Sequence, residues 1–396
     1  MIRKLAPILG ITFVDIIGFS MLLPILPYFV THFGMSPVVV GILLSTFSLC
    51  QLISGPLWGN LSDRIGRKRV LIISQIGATI GWAMLAFAPN IMWVFIARII
   101  EGASGGNIGV TQAYVADLVA PKERARAFGL ISATFAAAMV FGPATAGLLF
   151  IKFGFGAPFL TASALQFITL ILTIFLLPES RTKQVEDEAH VGLREIAMTF
   201  VNPVFSPLLV QKLALSLSLY GWYSVIALYL AGQLGFGVGE TTMMFSAFAI
   251  VNVLVNGVGV GKTSHSLGDR VMSTLGLGLL VAGLACTPFV HNVLSLLGVM
   301  TLFAIGSAFA NTGLTAMISN AATEREQGTV LGVGSSLDSL SGIVAPPIST
   351  GLLASFGSAF GGVASLVFAI IALLLGIRNS LLAPEVAQAT EELEAS

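Results

Sequence analysis

The sequence predicts an all-α polytopic membrane protein with twelve transmembrane helices in two pseudo-symmetric six-helix bundles. Three observations carry this: a charge-poor apolar composition, twelve apolar stretches of membrane length, and a repeat relating the two halves of the chain. Of the 396 residues, 56% are hydrophobic and 10% are charged, against ~25% charged in soluble domains. Such a chain has too few polar groups to cover its own surface in water. The 43 glycines and 16 prolines suit membrane helices, which tolerate both and use Gly for close packing. The formal net charge is zero, so no nucleic-acid partner is expected. The expected partners are the lipid bilayer and a small-molecule substrate, and the expected state is a monomer. Cys50 and Cys286 both fall in apolar stretches, which argues for small apolar fillers and against a disulfide framework or a metal site.

A hydrocarbon core ~30 Å thick needs about 20 helical residues. Twelve stretches qualify: 5–30, 38–59, 70–88, 91–117, 126–150, 157–177, 207–231, 241–262, 271–290, 293–318, 328–353 and 359–380. They are spans 1 to 12 below. The first is longer than a signal peptide's apolar region and carries Asp15, Pro24 and Pro27, so it reads as span 1 rather than a cleaved leader.

Basic residues give the orientation. With the N-terminus inside, the cytoplasmic segments hold Arg3, Lys4, Arg64, Arg67, Lys68, Arg69, Lys122, Arg124, Arg126, Arg181, Lys183, Arg194, Lys212, Lys262, Arg270, Arg325 and Arg378. Lys152 alone falls outside, and Arg98 lies within a span. Both termini are therefore expected in the cytoplasm, and the location is a bacterial-type inner membrane.

The longest polar stretch follows span 6 and contains Glu186, Asp187, Glu188 and His190. It reads as a solvated linker with a short surface helix near Leu193–Phe200. The halves on either side resemble each other. Leu61-Ser62-Asp63-Arg64 matches Leu267-Gly268-Asp269-Arg270 at an offset of 206, and Gly142-Pro143-Ala144-Thr145-Ala146-Gly147 matches Pro346-Pro347-Ile348-Ser349-Thr350-Gly351 at 204. Two matches at nearly one offset indicate a six-plus-six duplication, an architecture that transporters use around a midplane site. The expected organisation is an N-terminal bundle over 1–177, a cytoplasmic linker over 178–206, a C-terminal bundle over 207–380 and a cytoplasmic tail over 381–396.

Between spans 2 and 3 the chain reads Gly59-Asn60-Leu61-Ser62-Asp63-Arg64-Ile65-Gly66-Arg67-Lys68-Arg69. Glycines permit a tight turn, a carboxylate can face a helix N-terminus, and cations can pair across the surface. The loop resembles the signature loop of the major facilitator superfamily, although a basic loop that sets topology explains it as well. The resemblance implies a latch that joins the halves when the inner gate is shut, with Asp63 against the start of span 11 and Arg67 against Asp117.

Further patterns narrow the family: Asp15-Ile16-Ile17-Gly18 and Pro24-Ile25-Leu26-Pro27 in span 1, Arg98 and Gly102 in span 4, and Ala138-Met139-Val140-Phe141-Gly142-Pro143 through Gly147 in span 5. With Glu123-Arg124-Ala125-Arg126-Ala127-Phe128-Gly129 and Leu177-Pro178-Glu179-Ser180, they are similar to the twelve-helix drug:proton antiporters, in particular the tetracycline-exporter branch. The likeness covers most of the N-terminal half closely and the C-terminal half in outline. It implies an antiport motif at Gly142, Pro143 and Gly147. The physical content of that motif is a helix that packs closely and bends, which holds for either transport direction. There are departures. Ala138 stands where the motif usually has Gly, and the second loop, Gly261 to Arg270, is degenerate. Span 9 has no carboxylate and span 8 no His, groups expected of a metal–tetracycline exporter, which argues against tetracycline as substrate.

Ionisable residues inside a membrane are functional candidates by default, since each costs at least ~2.5–3.5 kcal/mol at a helix centre. Asp15, Arg98, Glu101 and Asp338 qualify as proton-coupling candidates. Arg98 and Glu101 are three apart and share a helix face. They are either a structural ion pair or a device by which Arg98 controls the protonation of a carboxylate. Asp15 and Asp338 lie about ten residues into their spans, near the midplane. Each suits proton exchange, and each is open to a structural explanation as a hydrogen-bonded side chain. Asp338 has no counterpart in span 5, where Thr134 aligns, and is alternatively a group that binds a cationic substrate. Gln51, Asn107, Tyr220, Trp222, Tyr223, Asn252, Asn256 and Asn311 are substrate-cavity candidates, with interhelical packing the plainer explanation for each. Asn252 and Asn256 share one helix face.

The expected function is secondary active transport: proton-coupled export of small lipophilic or amphipathic compounds by alternating access. Protons are the coupling ion and no cofactor or metal is expected. The alternative is a sugar or metabolite importer or uniporter of the same fold, which Pro178-Glu179-Ser180-Arg181 favours slightly. An enzyme or sensor finds no support, because the sequence holds no nucleotide loop, no His/Cys cluster and no soluble output domain. His32, His190, His265 and His291 all fall in loops or near span ends.

Overall fold

A computed structural model describes residues 2–120, 123–180, 198–260, 263, 266–323 and 326–394. Glu186 to Glu188, His190, His265, Lys122, Arg181, Lys183, Arg194, Lys262, Arg325 and the first half of the predicted surface helix lie outside these residues. Met198–Val201 in the second half is helical. The described chain is helical, with twelve spans in two six-helix bundles.

Spans 1 to 3 are Ile2–His32, Val38–Ile65 and Arg67–Ala86. Span 4 is broken into Ile91–Gly105 and Ile108–Leu118. Spans 5 and 6 are Arg124–Phe153 and Gly156–Leu176. In the second half, span 7 is Ser206–Leu234, and span 8 is Val238–Leu254 followed by a wider π turn over Val255–Val260. Spans 9 to 12 are Asp269–Ala285, Val293–Asn320, Gln327–Phe356 and Val363–Glu394. Ten of these helices are long and apolar enough to cross a membrane unaided. The other two are span 4, because of its break, and span 9, at 17 residues. Several predicted ends shift. Span 2 runs on to Ile65, so Gly59 is helical and the turn falls at Gly66 alone. Span 12 continues through Glu394, so the predicted tail from 381 extends that helix.

The local signals that start and stop helices recur in both halves. Asn90 caps span 4 by accepting from Met92 N at 3.1 Å, and Asn292 caps span 10 by accepting from Ser295 N at 2.9 Å. Gly66 and Gly154 end spans 2 and 5 at φ 101° and 82°, and Gly268 and Gly357 take φ 77° and 93° at the matching turns 202 and 203 residues on. An L side chain is strained at such angles, so the duplication repeats its turn chemistry as well as its helix motifs.

The halves meet where span 2 packs on span 11 and span 5 on span 8. The contacts depend on small residues. A Cβ on Gly41 would lie 2.7 Å from the Pro346 carbonyl oxygen, and one on Gly147 would run into Thr242 Oγ1. Gly142 instead seats span 5 against Ser20 and Ile17 of span 1, and Ser20 Oγ donates to the Ala138 carbonyl at 2.9 Å. Hydrogen bonds between halves come from Tyr28, whose hydroxyl meets the Phe236 carbonyl at 2.9 Å and Thr241 Oγ1 at 2.6 Å, and from Ser45, which donates to Ile343 O at 2.5 Å. Tyr28, Gly41, Gly147 and Thr242 all lie toward the end of the bundle opposite the basic loops, here the far end. These contacts close it. Large apolar side chains such as Ile53, Leu57, Leu148, Phe175 and Leu294 are exposed on the outside, as a lipid-facing belt requires.

Candidate functional site

The break in span 4 builds the N-terminal half of the site. A helix leaves its last four carbonyls without intrahelical donors, and inside a membrane those groups must be satisfied by protein. Each of the four finds a side chain. Ser54 Oγ donates to Gly102 O at 3.2 Å, Trp58 Nε1 to Ala103 O at 2.5 Å, Ser74 Oγ to Ser104 O at 2.8 Å, and Gln51 Nε2 to Gly105 O at 3.1 Å. The approach is close because the break is glycine-rich: a Cβ on Gly106 would lie 2.7 Å from Gly55 N. Gln51, a cavity candidate from sequence, thus holds the break open.

The break presents Asn107. Its amide, 5% exposed, donates to Ser74 Oγ at 2.6 Å and lies near the Asp15 carboxylate. Gln166 of span 6 donates to Asp15 Oδ1 at 2.8 Å. Asp15 is half-buried, with the neutral amide of Gln166 bonded to it and that of Asn107 beside it, each from another span. Gln166 was missed. Its signal was the lone amide of span 6.

Arg98 and Glu101 form a separate unit. They pair on one face of span 4, both almost wholly buried. The rings of Phe47 and Trp82 lie 5.3 Å and 5.4 Å from the guanidinium carbon, close enough for cation–π attraction.

In the C-terminal half, Asp338 of span 11 pairs with Lys212 of span 7 at 3.1 Å and accepts from Ser216 Oγ. Lys212 also donates to Asn311 Oδ1 at 2.8 Å. This corrects the charge count: Lys212, 7% exposed, is not a cytoplasmic surface residue but a buried partner of Asp338. The predicted bias becomes sixteen basic residues against one. Asn311 lies 204 residues after Asn107, the offset that relates the span 5 and span 11 motifs. That coincidence was the signal for both clusters. Lys212 and Asp338 line a cavity of about 140 Å³ between spans 7, 10 and 11, on the basic side of the bundle.

The remaining candidates divide. Tyr220 is exposed on span 7, near Asp338. Trp222 is 2% exposed, with ring centroids 5.4 Å from Tyr229 and 5.9 Å from Phe303, so it packs the C-terminal bundle. Tyr223 joins the same aromatic group through Phe248 and Phe303. Asn256 Nδ2 donates to Asn252 Oδ1 at 2.7 Å along span 8.

At the basic loop, Arg67 pairs with Asp63 at 2.8 Å and with Asp117 at 3.6 Å. The Arg67–Asp117 contact is the expected one. A carboxylate that accepts from the start of span 3 belongs to Glu179, bonded to Arg67 N at 2.8 Å and Lys68 N at 3.4 Å, and Ser180 Oγ reaches Asp117 Oδ2 at 3.0 Å. The segment after span 6 therefore ties into the loop, a role the sequence did not reveal. Arg64 is exposed. Among the described residues no group of His, Cys, Asp and Glu is arranged to hold a metal, and Cys50 and Cys286 are free thiols.

Two six-helix bundles that meet across pseudo-equivalent helices, with a broken span and buried charges facing between helices, define a secondary transporter. The comparisons agree. A model of the major facilitator superfamily matches residues 8–255 and 199–393. The class C tetracycline resistance protein of Escherichia coli is 31% identical over 94% of this chain and 95% of its own length. Multidrug resistance protein 2 of Bacillus subtilis is 27% identical over 85% of each chain. The quinolone resistance protein NorA of Staphylococcus aureus is 25% identical over 86% of this chain and 87% of its own. Among solved structures, a bacterial homologue of the human lysosomal transporter Spinster, inward-facing and unoccupied, superposes with a TM-score of 0.82 at 16% identity, covering 94% of this chain and 95% of that one. The chain belongs to the major facilitator superfamily and is a multi-pass membrane transporter.

Proposed function

We propose that the chain exports small lipophilic or amphipathic compounds in exchange for protons, by alternating access between its two halves. The observation that carries the proton step is Asp15. It is a half-buried carboxylate bonded by the neutral amide of Gln166, with that of Asn107 nearby, so it can change charge without breaking an ion pair. Moving one charge through 100 mV supplies ~2.3 kcal/mol before any pH gradient, enough to drive export. The relatives named above are resistance proteins, which favours export over sugar uptake. Spans 8 and 9 of this chain carry Asn252 and Asn256 but no histidine, and their carboxylates, Glu240 and Asp269, stand in the first turns rather than within the membrane-spanning stretches, so metal–tetracycline is not proposed as the substrate.

The same reading places the bundles at 1–177 and 207–380, the linker at 178–206 and both termini in the cytoplasm of a bacterial inner membrane, with the monomer as the working unit. In it, the loop of Gly59, Asp63, Arg64, Gly66, Arg67 and Asp117 is the inner gate, and Gly142, Pro143 and Gly147 let span 5 rock. The test is efflux from proteoliposomes under an imposed pH gradient. Asp15→Asn abolishes proton-driven export and leaves substrate counterflow intact. Full proton-driven export in that variant overturns the assignment.

A further inference from the structure

Lys212 lies at the sixth residue after Ser206, the start of span 7, about 9 Å into the helix. It is 7% exposed. An ammonium has three N–H donors. One meets Asp338 Oδ1 at 3.1 Å and a second meets Asn311 Oδ1 at 2.8 Å. The third is left for a further acceptor, and Lys212 lines the cavity between spans 7, 10 and 11. Asp338 is arranged in the complementary sense. Its bonds to Lys212 and Ser216 both fall on Oδ1, its side chain is 33% exposed, and it lines the same cavity. The pair therefore offers one donor and one acceptor side by side without being broken. Ile318, Val330 and Leu331 supply apolar walls beside it.

The charges decide which ligand fits. A lone anion at the spare N–H would stand beside Asp338 with no charge of its own to offset it, and a lone cation at Oδ2 would stand beside Lys212 in the same way. Either adds an unpaired charge to a largely buried site, which is costly. A ligand with both charges on one end satisfies both members and adds no net charge to the cavity. We propose that the Lys212–Asp338 pair is a recognition site for the charged end of zwitterionic amphiphiles, the carboxylate on Lys212 Nζ and the ammonium on Asp338 Oδ2, with the apolar body against Ile318, Val330 and Leu331. This deepens the export reading and rests on it for the direction of transport. It also gives the pair a use that a structural ion pair lacks, since a purely structural pair has no need of a cavity at its flank.

The test measures binding alone, so it stands apart from proton-driven export. Three probes share one biphenyl body: the amino acid 4-phenylphenylalanine, the amine that lacks its carboxylate, and the acid that lacks its amine. Each is titrated into the purified full-length protein, with affinity read by calorimetry and folded-state binding by thermal shift. The amino acid binds at least about ten-fold tighter than either analogue, because a site built for a polar group rejects the analogue that lacks it. Lys212→Met brings the amino acid down to the affinity of the amine, and Asp338→Asn brings it down to that of the acid. The double charge swap Lys212→Asp/Asp338→Lys keeps an ion pair and restores the preference for the amino acid, which separates recognition from folding. Equal affinity for the three probes, no binding of the amino acid, or an unchanged preference in both single variants overturns the proposal. A failure of Asp15→Asn to affect proton-driven export removes the export reading and leaves this binding result untouched.

Discussion

Gly41 on span 2 faces span 11 across the interface between the halves, and the added methyl of Gly41→Ala has nowhere to go. Its Cβ would lie 2.7 Å from the Pro346 carbonyl oxygen and 2.8 Å from the carbonyl carbon. These are backbone atoms and cannot rotate away. Overpacking of this kind costs about 1–3 kcal/mol. The gain in helix propensity from Gly to Ala, up to ~1 kcal/mol, applies equally in any state that keeps span 2 helical and cancels. The steric penalty applies only while the far end is closed, so the substitution favours the far-end-open state by about 5- to 140-fold. Starting from an open population of about 1%, the variant holds about 5% to nearly 60% open. Spin labels at Met35→Cys and Phe360→Cys, both exposed at far-end turns of opposite halves, report the change as a growing long-distance population. Cys50→Ala and Cys286→Ala remove background labelling. Gly351→Ala on span 11 is the control, because nothing lies within 4 Å of its added Cβ. A distance distribution equal to that of the control refutes the packing argument.

Three other outcomes follow from the geometry. Tyr28→Phe loses the bonds to Phe236 O and Thr241 Oγ1, about 1 kcal/mol or five-fold toward the far-end-open state, and an unchanged distance distribution between the same labels shows that these bonds do not hold the far end closed. Glu101→Leu strands the buried Arg98 guanidinium and destabilises by about 3–5 kcal/mol, whereas Arg98→Met/Glu101→Leu together come close to the parent; equal melting temperatures for the single and double variants in detergent contradict this. The exposed Glu326 carboxylate accepts from Thr323 Oγ1 at 2.7 Å and Thr323 N at 3.2 Å, and the hydroxyl bond first of all holds its pKa below the ordinary glutamate value. Its contribution to stability is therefore present above that ordinary value and lost as pH falls through the lowered one. Thr323→Ala raises the midpoint in an NMR titration of labelled glutamate, and an unmoved midpoint removes the hydroxyl as the cause.

The span count was legible because each membrane helix satisfies its own backbone and carries its own apolar signal. The Arg98–Glu101 pair was legible for the same reason, being local to one helix face. What depended on a second helix was not. Gly105-Gly106-Asn107 advertises a weak point in span 4, yet whether the helix opens there depends on Ser54, Trp58, Ser74 and Gln51 from two other spans. Lys212 sits close enough to the start of span 7 for its long side chain to snorkel out of the membrane. Only the positions of Asp338 and Asn311 show that it turns inward. Gln166 and Glu179 were passed over because their partners, Asp15 and the start of span 3, lie 151 and 112 residues away.

The two halves share a frame and have filled it with opposite chemistry, and the asparagines show how. Asn107 and Asn311 stand at the same offset as the paired helix motifs, on spans 4 and 10. An asparagine amide offers both a carbonyl acceptor and an NH₂ donor. Asn107 uses its donor end on Ser74, beside Asp15. Asn311 uses its acceptor end, toward Lys212. One residue type at one position in the repeat therefore serves an acid in the first half and a base in the second. The consequence is a difference in charge balance. Among the described residues no cation pairs with Asp15, so a proton there changes the net charge of the first half. The Lys212–Asp338 cluster is already neutral, so a ligand whose charges sum to zero leaves the second half as it was. In the proposed cycle the proton and the substrate thus need not compete for one carboxylate. They meet through the rocking of spans 2, 5, 8 and 11, whose glycine contacts at the far end set which side is open.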